Sequence, residues 1–160
     1  MPSNQLANIR KLLVHKAISL ADALRMMRED ARPKLSDIRL RWIDYELNGY
    51  PMPGGLVESF PFDLPEYRMV AAQYFARTAS GIWADVSDTK ISEVAGFCPV
   101  PIREIEDVVA NPLNEMVEIQ LGELLENTPI AMQVHRTQLV KIDESVRNTV
   151  IKLLDELIEG

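Results

Sequence analysis

Cysteine is nearly absent: Cys98 is the one thiol in 160 residues. One thiol forms no internal disulfide, so the chain draws nothing from a covalent framework and suits a reducing cytoplasm. No apolar run approaches the roughly 20 residues that a helix needs to cross a bilayer, which excludes a membrane-spanning helix. Asn8, Arg10, Lys11, His15 and Lys16 interrupt the first segment, which therefore lacks the hydrophobic centre of a secretory signal. The two histidines, His15 and His135, lie far apart with no cysteine or histidine cluster beside them, so the zinc spacings are missing. A Walker-type glycine loop, a dinucleotide fingerprint and a Gly-x-Ser-x-Gly elbow are all missing as well, and no internal repeat is visible. No metal and no cofactor is implied, and the expected location is cytoplasmic.

The charge balance is acidic, at −7, but uneven along the chain. Residues 1–50 carry nine Lys/Arg against six Asp/Glu, whereas residues 51–160 carry eight against 18. A basic face meeting an acidic partner or a phosphate backbone fits that asymmetry. The excess is small beside a nucleic-acid footprint, so a solvated helix face is the plainer reading and nucleic acid is not favoured. A protein partner or a homo-oligomer is the expectation.

The length fits one domain, residues 1–160, with ordinary apolar content. Leu6, Ile9 and Leu13 follow helical spacing and predict a first helix over residues 4–17. Ser19 with Asp22 starts a second, whose apolar stripe is Leu20, Ala23, Leu24 and Met27, and Pro33 separates it from a third over residues 35–48. That third helix is apolar on two sides, with Leu40, Ile43 and Leu47 on one and Ile38, Trp42 and Tyr45 on the other, which predicts a central place in the packing. Prolines at 51, 53, 61 and 65 with Gly54 and Gly55 predict a long loop over residues 51–66. Tyr67–Val70 and Gly81–Val86 read as a small hairpin. Pro101 opens a helix carrying Ile102, Ile105 and Val109, and Asn111-Pro112 reads as the start of another with Leu113, Val117, Leu121 and Leu124. Ile130, Met132 and Val134 alternate as a short extended piece. Leu139, Ile142, Val146, Val150, Leu153 and Leu157 mark a last helix over residues 138–158, expected against the helix that ends at Asn48. The fold class that follows is mainly α, a multi-helix bundle with a long Pro-rich loop and a small β-hairpin.

Within this pattern, Trp42-Ile43-Asp44-Tyr45-Glu46-Leu47-Asn48-Gly49-Tyr50-Pro51 is the most informative stretch. Asn48-Gly49 supplies a left-handed exit from the helix, and Pro51 prevents its resumption. Trp42 and the tyrosines form an amphipathic anchor. Three further pieces stand in order around it: Leu20–Arg25, Pro65-Glu66-Tyr67-Arg68, and Ile142–Val150 with its Val146-Arg147-Asn148 centre. Together they resemble the AbiTii domain of prokaryotic abortive-infection and related phage-defence proteins. The resemblance implies a module of bacterial conflict systems, an interaction or effector component with no established reaction, so no catalytic residue is carried over. Trp42, Glu46, Asn48, Gly49, Tyr50, Pro65, Tyr67, Arg68, Arg147 and Asn148 are the family positions, structural or binding in role. Arg147 is expected to reach Glu46 or the carbonyls of the Pro-rich loop, since its five donors satisfy several acceptors at once.

One pair invites a chemical reading. Arg10 and His15 have the Arg-x4-His spacing of HEPN-type ribonucleases, in which a histidine moves a proton while an arginine stabilises phosphate charge. A metal-independent ribonuclease toxin acting on RNA is therefore the alternative function, although the spacing arises readily by chance. Glu104, Glu106 and Asp107 crowd a helix start, where the macrodipole favours them without a metal. Cys98, before Pro99, reads as packing.

Overall fold

The computed structural model describes residues 2–50, 65–77, 80–85, 96–111, 114–125 and 128–160. The chain divides into two compact units, one from Met1–Tyr50, Val100–Ala110 and Ile142–Gly160, the other from Pro51–Pro99 and Asn111–Lys141.

The first unit is helical. It holds α1 (Pro2–Val14), α2 (Leu20–Asp30), a short 3-10 turn (Arg32–Lys34), α3 (Asp37–Asn48), α4 (Ile102–Ala110) and most of α5 (Arg136–Glu159). Leu6, Ile9 and Leu13 of α1 are fully buried, as their spacing predicts. Lys16 ends this helix in the left-handed region at φ 56°, with its N–H on the Leu13 carbonyl (3.0 Å) and that of Ala17 on Leu12 (2.7 Å). This is the reciprocal C-terminal closure that glycine usually makes. Ser19 caps α2 by accepting from the Asp22 N–H (3.0 Å), and Ser36 caps α3 by accepting from Arg39 (3.2 Å). Gly49, at φ 93°, ends α3 as expected, its N–H on Tyr45 O at 2.8 Å.

Leu139, Ile142, Val146, Val150, Leu153 and Leu157 are all buried, so the stripe of α5 faces a core. Three ion pairs bind the helices at their rims: Arg10 with Asp155, Arg39 with Glu156, and Arg28 with Asp44 at 2.6 Å. All are half exposed, so each contributes about 0–1 kcal/mol and mainly fixes register. One expectation for α3 changes. Ile43 is fully buried while Ile38 is 78% exposed; Trp42 and Tyr45 are half buried, so the second apolar side is open at Ile38 and partly covered further along.

The second unit overturns the mainly α reading. It holds a four-stranded antiparallel sheet of β1 (Ala72–Arg77), β2 (Trp83–Asp85), β3 (Met116–Leu125) and β4 (Thr128–His135), in the order β2-β1-β4-β3. The fold is therefore mixed α/β, with five α-helices among the described residues, and not a helical bundle with one hairpin. Residues expected to form a helix after Asn111-Pro112 are β3. Val117, Leu121 and Leu124 suit a helical period, but Val117, Ile119 and Leu121 also alternate, with Glu118 and Gln120 between them. Pairing decides: Val117 meets Val134 and Ile119 meets Met132, and both β4 side chains are fully buried. Gly122, at φ 78°, accompanies the register shift beyond Gln120. The hairpin expected from residues 67–70 and 81–86 is displaced, since β1 pairs with β2 while Met69 bridges Phe97. Tyr74 of β1 is buried, and burial first, then the neighbouring Cys98, pushes its phenol up to about 12. Most of the expected Pro-rich loop lies outside the described residues.

Candidate functional site

At the end of α3, Glu46 sits on the inward side and is 0% exposed. Tyr50, just beyond the Gly49 exit, folds back and donates its O–H to Glu46 Oε2 at 2.6 Å. Its ring stacks on that of Tyr45 with centroids 5.4 Å apart. The glycine turn thus returns an aromatic residue to the carboxylate one helical turn earlier, and the short bond satisfies part of a buried charge. Trp42 is half buried on the same helix, and Asn48 is exposed.

In the second unit, Pro65 precedes a short 3-10 turn (Glu66–Arg68) that carries half-buried Tyr67 and Arg68. Arg68 is 0% exposed, and its Nη1 donates to the Cys98 carbonyl at 3.1 Å while the Cys98 N–H returns a bond to Arg68 O at 2.8 Å. The guanidinium bond to the Cys98 carbonyl and the returning backbone bond lock two chain segments together.

Arg147, on α5, donates from Nη1 to the Leu13 carbonyl at 3.1 Å. The tie expected to Glu46 or the Pro-rich loop is thus replaced by one to the C-terminal turn of α1. Asn148 beside it is exposed. A second charge lies across the same connection. Glu106 of α4 accepts from the N–H groups of Leu20 (2.8 Å) and Ala21 (3.1 Å), capping α2 from another element. A cation therefore serves the negative end of α1 and an anion the positive end of α2, the polarity that each helix dipole favours. Burial raises the Glu106 carboxyl above its usual range; the two backbone donors and Arg147 pull it down, and Asp143 pushes it up. Asp143 is likewise raised by burial, against the lowering effect of Arg147 and Lys16. Sequence reasoning missed this cluster: it placed Glu106 at the start of its own helix, whereas the carboxylate caps a helix 86 positions earlier.

Beside it, Ser19, Ala21, Asp22, Arg25, Arg103, Glu106 and Asp107 line an open groove of about 370 Å³. Arg25 pairs with Asp22 at 2.9 Å, so part of its charge is already compensated. Arg10 is paired with Asp155, and His15 is exposed just beyond the end of α1. Among the described residues, no group of three or more His, Cys, Asp or Glu stands where a metal would be held. None of the described helices is long and apolar enough to cross a membrane.

These features define a mixed α/β protein whose signature charges are bonded to its own chain. The AbiTii family model matches residues 6–159, and the chain belongs to that family. It is accordingly an abortive-infection related domain. No curated protein and no solved structure matches it.

Proposed function

We propose that the chain is an interaction or effector module of a bacterial anti-phage system, acting through what it binds and with the signature residues as its framework. The observation that carries this reading is the fate of those residues. Glu46 and Arg68 are fully buried, Tyr50 is spent on Glu46, and Arg147 on a helix end. Groups that react with a substrate need access to it, whereas these hold backbone and side chains in place. The family supports the defence setting, and cytoplasmic action fits the single buried cysteine.

The test is expression in a bacterial host, wild type beside Arg10→Ala/His15→Ala, with growth, phage plating and RNA integrity followed. Altered plating that persists in the double variant, with intact RNA, is the expected result. RNA fragmentation that disappears in the double variant would replace this reading with the ribonuclease.

A further inference from the structure

We propose that the outer edge of β3 docks an extended peptide segment in which apolar residues alternate with Lys or Arg, added to the sheet as a further strand. This rests on the interaction reading above and names the surface through which the module takes its partner. In the order β2-β1-β4-β3, β3 stands last and pairs only with β4 among the described residues. The Arg136 N–H donates to the Glu115 carbonyl at 2.6 Å, which sets the phase of the ladder. Antiparallel strands exchange bonds at every second residue. Residues 115, 117 and 119 therefore bond to β4, and the N–H and C=O groups of Met116, Glu118 and Gln120 point away from it. Among the described residues, no other segment bonds to the backbone of these three, and all three are exposed. Met116–Gln120 also contains neither the proline nor the lysine that commonly blunts an edge. A row of main-chain donors and acceptors left open in this way is a template for another strand. The register shift beyond Gln120, with Gly122 in the left-handed region, ends the regular ladder and so the template.

Charge and period two define the occupant. Residues 111–127 hold four Glu and no Lys or Arg, and Glu118 lies at the centre of the open row. Glu118 accepts from the neutral Gln120 amide at 2.8 Å and forms no ion pair among the described residues. A second copy of β3 centred on this row would set Glu118 against Glu118, and like charges directly opposite are destabilising. A Lys or Arg on the incoming strand meets the same carboxylate favourably. The other face of β3 is apolar: Ile119 is buried, while Val117 and Leu121 are half buried. Side chains alternate between faces along a strand, so an incoming segment lays apolar residues beside Val117 and Leu121 and cations beside Glu118. Five residues of added strand cover far less than the roughly 800 Å² per partner of a stable interface, so the affinity is weak, on the order of 100 µM.

A synthetic peptide of alternating valine and lysine, titrated to about 1 mM against the full chain with amide exchange read by NMR, tests this. Saturable binding should slow exchange at Met116, Glu118 and Gln120 by about tenfold or more. A valine–glutamate peptide of the same length should bind roughly tenfold more weakly. Gln120→Pro removes an outward N–H and spares the β4 ladder, so it should abolish binding at an unchanged melting curve. Glu118→Lys should turn the preference toward the glutamate peptide, and it keeps the test decisive if the proline variant does not fold. No binding, protection confined to other residues, or binding that survives Gln120→Pro overturns the proposal. Protection that grows with the concentration of the chain alone gives the edge to a second copy and overturns it too. If the chain alters phage plating but binds no peptide, this inference fails alone; if it binds the peptide but alters neither growth nor plating, the functional reading fails and the edge stands.

Discussion

Replacing Glu106 with alanine should destabilise the helical unit more than most half-exposed carboxylates would. The first turn of a helix offers four N–H groups without intrahelical partners. In α2, the Ser19 hydroxyl takes that of Asp22, and Glu106 takes those of Leu20 and Ala21. Leu20 and Ala21 are buried, so water does not readily replace the lost acceptor. Each stranded donor costs about 1–3 kcal/mol. Removing a carboxylate that burial already disfavours offsets part of this, leaving a net loss of about 2–4 kcal/mol. For a chain of this size, that lowers Tm by about 5–15 °C. Glu106→Gln keeps one acceptor oxygen and should lose about half as much. Thermal and urea unfolding, read at the helical signal, measure both variants. A Glu106→Ala protein within about 0.5 kcal/mol of wild type would refute the cross-element cap.

Stability should also depend on pH through this cluster. Glu106 and Asp143 both have raised carboxyls, so the folded state takes up protons more readily than the unfolded one. Their contribution is therefore fully present below the unfolded carboxylate values and is lost as pH rises through the folded ones; a flat melting profile from about pH 7 to 4 would contradict it. Tyr50→Phe removes the donor on Glu46 and should cost about 1–3 kcal/mol in denaturant unfolding, since the carboxylate remains buried. Lys16→Gly relaxes a left-handed residue and should stabilise by about 0.5–1 kcal/mol, while Asp143 loses a cation that lowers its carboxyl. A destabilised Lys16→Gly protein would show that the lysine charge outweighs the strain.

The helical unit was legible because its period is local. Leu6, Ile9 and Leu13, or Ile142, Val146 and Val150, declare a buried face within a few turns, and Ser19, Ser36 and Gly49 mark the ends. The sheet was only partly legible. Ile130, Met132 and Val134 alternate cleanly in β4, but its neighbour β3 carries residues that fit both periods, and only the partner strand resolves them. Ile38 shows a second limit: its apolar character and helical spacing suggest burial, yet the side chain is 78% exposed. The polar cluster was not legible at all. Glu106 with Leu20, and Arg147 with Leu13, join positions 86 and 134 apart, and no spacing rule links them.

The discontinuity of the helical unit has a consequence for synthesis. Its first 50 residues emerge from the ribosome before α4, which follows about 50 residues later, and residues 142–160 of α5 follow after a further gap of about 30. The parts of α1 and α3 that meet α5 remain exposed to solvent and to chaperones meanwhile, and the Arg10–Asp155 and Arg39–Glu156 pairs close only across 145 and 117 positions. Such long-range closure makes assembly slow and late. A nascent chain halted before α5 carries every signature element of α3 but no completed core to display it.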